Sequence, residues 1–178
     1  DQYVCGILPL KNNTVLVYTK SGDFYTVNQE GKNIQKIANI NSFNRTNFGG
    51  DLYLHLGFDD KIFISGLDKL YELRIAEKQI IEIKINCTGL QNNTFNDITI
   101  FDKNNYIIAA QKGIYIVTKD FKNSYTFSAF DANETYLRTF LVNHKYLYVC
   151  RPYKGFDLYI YEKNQLKKAL KKVFYQVL

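Results

Sequence analysis

Short apolar runs broken by polar turns recur from one end of the chain almost to the other. The runs are shorter than helices of ordinary length and rich in β-branched and aromatic residues, so they predict strands. Gly6-Ile7-Leu8-Pro9-Leu10 leads through Lys11-Asn12-Asn13 into Val15-Leu16-Val17-Tyr18, and Ser21-Gly22-Asp23 turns into Phe24-Tyr25-Thr26-Val27. The same grammar returns three times. Residues 52–56, 62–64 and 70–73 form the second set, with turns at 57–60 and 66–69. Residues 98–100, 106–109 and 114–117 form the third, and 139–142, 146–149 and 158–160 the fourth.

Each set carries a tyrosine on its third strand. Tyr25, Tyr71, Tyr115 and Tyr159 follow one another at intervals of 46, 44 and 44 residues. After the first three comes a weaker apolar stretch, Ile34 to Ile37, Ile80 to Ile85 and Ser124 to Phe127, which predicts a fourth strand. Four antiparallel strands in about 44 residues make a sheet that cannot bury both faces alone, so neighbouring copies must stack. A β-sandwich would also space its strands this way but would need no such beat.

The stretch Asp60-Lys61-Ile62-Phe63-Ile64-Ser65-Gly66-Leu67-Asp68-Lys69-Leu70-Tyr71-Glu72-Leu73 resembles the strand–turn–strand hairpin of sema, WD-type and related propeller repeats. The resemblance implies an all-β fold, a β-propeller with four blades over about 1–40, 41–86, 87–130 and 131–164. It is one of grammar: the chain has no Trp, and so lacks the Trp-Asp pair of WD blades.

Beyond residue 164 the pattern changes. Leu166, Ala169, Leu170, Val173, Phe174 and Val177 fall at helical spacing behind Asn164 as a cap. Residues 165–178 are therefore expected to form a short amphipathic helix, with the start of a further blade as the alternative. The chain contains no methionine, even at position 1, and is expected to be a processed or partial product, four blades of a larger ring. Remaining blades of the same protein are then one class of partner.

Composition changes this picture little. The formal charge of +6 comes mostly from Lys167, Lys168, Lys171 and Lys172, which argues for a solvated tail rather than a nucleic-acid surface. No run is long and apolar enough to make a transmembrane segment. Cys5, Cys87 and Cys150 are odd in number, so at least one thiol is free or pairs elsewhere, and a disulfide stays open. Asn-x-Thr acceptors at Asn12, Asn44, Asn86, Asn92 and Asn133 all fall in expected turns or connections. They point to a glycoprotein, secreted or at the cell surface, with a cytoplasmic location as the alternative.

Chemistry-bearing motifs are absent. His55 and His144 are far apart and without metal-ligand spacing, and Asp59-Asp60 is a turn pair. No catalytic residue, cofactor or metal is expected. The reading is a non-catalytic module that presents rim loops to a protein partner, with Phe58, Asp59, Asp60, Lys103, Asn104 and His144 as rim candidates. The alternatives are a structural subunit of a large intracellular assembly, and a propeller enzyme whose acids lie outside this segment.

Overall fold

The computed structural model describes residues 3–11, 13–40, 52–65, 69–87, 89–91 and 93–173. They fold into sixteen strands in four antiparallel sheets, each in simple chain order. The first sheet holds β1 (Val4–Pro9), β2 (Thr14–Thr19), β3 (Asp23–Asn28) and β4 (Ile34–Asn39). The second holds β5 (Tyr53–Leu56), β6 (Ile62–Ser65), β7 (Tyr71–Arg74) and β8 (Gln79–Glu82). The third runs β9 (Phe95–Ile100), β10 (Asn105–Ala110), β11 (Ile114–Thr118) and β12 (Ser124–Tyr125). The fourth runs β13 (Arg138–Val142), β14 (Tyr146–Arg151), β15 (Gly155–Glu162) and β16 (Gln165–Val173). The chain divides into two compact units, Asp1–Ile83 and Lys84–Leu178, each a pair of sheets.

Side chains alternate across a strand, so each sheet has two faces, and one of them carries the third-strand tyrosine. In the first unit the tyrosine face of the second sheet packs on the opposite face of the first. Ile62, Ile64, Tyr71 and Leu73 meet Leu16, Tyr18, Phe24 and Ile37 in one buried cluster. Tyr18 crosses between the sheets and donates its hydroxyl to the Leu52 carbonyl at 2.5 Å. Its ring lies against Gly6 of the neighbouring strand, where a Cβ would fall 2.2 Å from a ring carbon. Only glycine leaves that room.

The second unit repeats the arrangement. Leu147, Val149 and Tyr159 meet Ile107, Ala109, Ile114 and Ile116 of the third sheet. Phe130 and Tyr136, from the connection between the two sheets, fill the remaining space. The rings of Phe130 and Tyr159 meet edge to face at 5.1 Å, and those of Phe101 and Tyr161 at 4.8 Å. Such contacts add to the burial of the rings themselves. In this setting the Tyr159 phenol is pushed up to about 12, chiefly by burial.

The tail is the one element where the fold departs from expectation. Residues 165–173 form no helix; they are β16, paired along β15. Asn164 does not cap a helix. Lys163 and Asn164 both take left-handed backbone angles, with φ of 51° and 60°, and form the two-residue turn that reverses β15 into β16. A twisted hairpin favours such a turn, and Asn tolerates it. The long β15 would otherwise leave a row of unpaired backbone groups along its edge. A register shift between the pairs Tyr159–Lys168 and Leu158–Leu170 breaks the two-residue alternation, which is why the sequence mimics helical spacing. Residues 174–178 lie outside the described residues.

One recurring ion pair accompanies the tyrosines. Two residues before Tyr25 stands Asp23, which bonds Lys36 at 2.7 Å, and Lys36 pairs opposite Tyr25 on β4. Two residues before Tyr159 stands Asp157, which bonds Lys168 at 2.8 Å, and Lys168 pairs opposite Tyr159 on β16. In the second sheet the same two positions hold Lys69 and Glu82, 2.8 Å apart, with the charges exchanged. The third sheet has Gly113 there instead, and its tyrosine ring sits against Gly89 and Gly113, where a Cβ would come within 3.0 and 3.2 Å of it. The pair clips the third strand to the fourth beside the tyrosine.

Asp23 carries this pair with its carboxylate buried. A hydrogen bond from the Asn39 amide at 2.6 Å, then the bond from Lys36, hold its pKa down from 3.8 to about 2, against the opposing effect of burial. A folded-state pKa below the unfolded value means stability that is present above pH 3.8 and lost as pH falls toward 2. Urea unfolding of the wild type from about pH 5 downward should show this loss, and Asp23→Asn, already less stable at neutral pH, should show a smaller one. Parallel acid profiles for the two proteins would remove Asp23 from the account.

Candidate binding cleft and rim residues

The turns that join first to second strands, and third to fourth, lie at one end of each sheet. In the first unit they enclose a cleft of about 510 Å³ between the two sheets. Pro9, Leu10, Leu56, Ile62 and Ile75 line it with apolar surface, and Lys11, Thr14 and Asp60 supply its polar groups. The backbone explains how these residues converge. Leu10 N–H donates to the Thr14 carbonyl at 2.9 Å, and the Thr14 hydroxyl to the Lys11 carbonyl at 3.2 Å, which closes the first turn. Phe58–Asp60 forms a short 3-10 turn closed by Lys61 N–H on the Phe58 carbonyl at 3.1 Å. Asp59 and Asp60 both adopt left-handed angles there, a conformation that Asp accepts more readily than most residues.

Across the cleft the Lys11 ammonium and the Asp60 carboxylate meet at 2.7 Å, with both side chains mostly exposed. An exposed pair of this kind contributes at most about 1 kcal/mol, so either partner can exchange it for another ion or hydrogen bond at little cost. The cleft therefore offers an apolar trough with one cation and one anion ready to turn toward a ligand. Nothing in it is arranged as a nucleophile with its base.

The expected rim residues divide between the units. Phe58 is half-buried in the 3-10 turn, Asp59 is exposed beside it, and Asp60 lines the cleft. Lys103 and Asn104 are exposed at the turn after β9, where Asn104 N–H donates to Asp102 at 2.8 Å and the Asn104 carbonyl accepts from Lys119 N–H at 2.8 Å. His144 is exposed in the three-residue turn between β13 and β14, left-handed with Asn143. His55 makes a cross-strand hydrogen bond to the Ser65 hydroxyl at 2.8 Å. Of the glycan acceptors, Asn86 and Asn133 are exposed, while Asn12, Asn44 and Asn92 lie outside the described residues.

The three cysteines are free thiols. Cys87 is buried and donates to the Phe121 carbonyl at 3.3 Å, and burial pushes its pKa up. Burial raises Cys150 as well, aided by the Asp97 carboxylate, so neither is activated. Among the described residues no group of three or more His, Cys, Asp or Glu side chains is placed to hold a metal ion, and no helix is long and apolar enough to cross a membrane.

Two buried acids escaped the sequence reading. Asp97 on β9 accepts the backbone N–H of Thr139 at 2.6 Å and its hydroxyl at 3.1 Å, tying the first strands of the third and fourth sheets together. Burial nevertheless pushes its carboxyl upward. Asp157 takes Arg151 at 2.9 Å as well as Lys168, and Arg151 also approaches Glu134 in the connection between those sheets. Both acids serve the packing of blade on blade. Lys11, the cation of the cleft, was also unforeseen, since nothing in one turn names its partner in another. The charge exchange at Asp23, Lys69 and Asp157 was visible once the tyrosines were aligned.

No model of a protein family and no curated relative matches the sequence. Solved structures do. The extracellular domain of a hybrid two-component system of B. thetaiotaomicron superposes with a TM-score of 0.63 at 12% identity, over 93% of this chain and 22% of that one. PorZ, a bacterial surface component of the type-IX secretion system of Porphyromonas gingivalis, gives 0.65 at 11% identity, over 94% and 22%. The β-propeller domain of Cps50 (Swd1) from Myceliophteria thermophila gives 0.62 at 10% identity, over 93% and 57%. The chain thus spans about a fifth of the two bacterial chains and somewhat over half of the fungal one. At these identities the likeness concerns the fold: the four sheets are blades of a β-propeller.

Proposed function

We propose that this chain is a non-catalytic protein-binding module. Its recognition site is the cleft between the first two blades, and its ligand is an extended segment of a partner protein. The cleft carries the reading: five apolar residues beside an exposed Lys11–Asp60 pair suit one apolar anchor side chain flanked by polar groups. Asp60, Phe58 and Asp59 come from one rim turn, and His144, Lys103 and Asn104 extend the same kind of turn in the other unit. Nucleic acid fits poorly, because the lysines of β16 are partly engaged, Lys168 with Asp157.

A site of action outside the cell, on a secreted or cell-surface protein, is supported by the exposed acceptors Asn86 and Asn133, and by the extracellular or surface origin of two structural neighbours. Expression through a eukaryotic secretory route should give a protein whose intact mass falls on glycosidase treatment, and by less in Asn86→Gln and Asn133→Gln. A secreted protein of unmodified mass would contradict this part of the reading.

Selection from a displayed library of random peptides tests the cleft. Wild-type protein should enrich peptides that share an apolar residue next to a charged one. Their affinity should fall at least about tenfold in Ile75→Asp, and should respond to salt through Lys11→Glu and Asp60→Lys. Enriched peptides that bind all three variants as well as the wild type would place recognition elsewhere.

A further inference from the structure

Among the described residues, two sheet faces of the kind that stack the blades carry exposed apolar side chains. Within each unit the rule is the same: the tyrosine face of one sheet packs on the non-tyrosine face of the sheet before it. Tyr71 and Tyr159 are accordingly buried, each at 3% exposure, but Tyr25 is only half-buried. Apart from the Asp23–Lys36 pair, its face on the first sheet is apolar. Ile7, Val17 and Tyr25 stand side by side across β1, β2 and β3, and Ile7 is 63% exposed. Ile34, on the neighbouring β4, is 65% exposed.

The fourth sheet presents the counterpart. Opposite its buried tyrosine face, Phe140, Tyr148 and Leu158 form one row across β13, β14 and β15, and Val142, Tyr146 and Ile160 form the next. Phe140 is 64% exposed and Val142 43%. Contiguous apolar surface of this kind marks an interaction site rather than ordinary scatter. The two faces are unlike each other and complementary in kind, being the two sides of the contact already made twice inside the chain.

We propose that this chain associates with a second copy of itself, head to tail, the Phe140–Tyr148–Leu158 face of one copy covering the Ile7–Val17–Tyr25 face of the next. The choice of a second copy rests on continuity with the blade-to-blade contact, because each copy brings both halves of it. The interface is heterologous, so it either closes between two copies or extends.

Light scattering behind size exclusion reads the outcome directly. At about 10–100 µM the wild type should run at twice 20.8 kDa or more. Phe140→Asp and Ile7→Asp each spoil one face at an exposed position and should each run as monomers. Mixed together they retain one intact face of each kind and should form a one-to-one complex, which a symmetric interface would not do. Val142→Asp and Ile34→Asp repeat the test should either first variant fold poorly by circular dichroism. A monomeric wild type, or an equimolar mixture that stays monomeric, overturns the proposal.

Discussion

Everything in this fold depends on one contact, the packing of a tyrosine-bearing sheet face on the back of the preceding sheet. A four-stranded meander has two faces and no interior, so its stability comes from the neighbour that covers it. The sequence answers with strands that are apolar on the covered side. β6 and β10 are buried along almost their whole length, while β2 and β14 alternate between buried and half-exposed residues. The alternation is the signature of a sheet with one covered face.

The ion pair beside the tyrosine serves the same contact. It lies near the start of the third strand, away from the turn into the fourth, and ties the two strands together beside the tyrosine. That the second blade holds Lys69 and Glu82 where the first holds Asp23 and Lys36 says that opposite charge is what the position requires, whichever strand carries the acid. The glycine-pinned ring of Tyr115 meets the same need by shape. In the proposed reading recognition falls to the turns, and the cleft of the first unit is where two of them converge on apolar surface.

Much of this was legible in the residues. The tyrosine period placed every third strand, and the apolar runs placed the strands before it within three residues of their observed ends. The fourth strands were weaker because they lie on the outside, with little burial to impose a pattern: β12 shrank to Ser124–Tyr125, freeing Phe127 for the space between sheets. Residues 165–173 misled for a definite reason. A shifted register erases the two-residue alternation, and what decides the tail is the unpaired edge of β15, which no local pattern expresses. For the site, Asp60 was foreseen as a turn residue and Lys11 was not, since their meeting depends on how two blades stack.

The central claim is that burial of the tyrosine face on a preceding blade is the main source of stability, and alanine replacement of the four aligned tyrosines tests it most directly. Measured by denaturant unfolding at concentrations low enough to keep copies apart, Tyr71→Ala and Tyr159→Ala should each cost about 3 kcal/mol or more. Tyr25→Ala, on a half-exposed face, should cost well under half as much. Equal losses at Tyr25 and Tyr159 would contradict the account, because the value of the residue would then come from its own sheet and not from the blade it packs against.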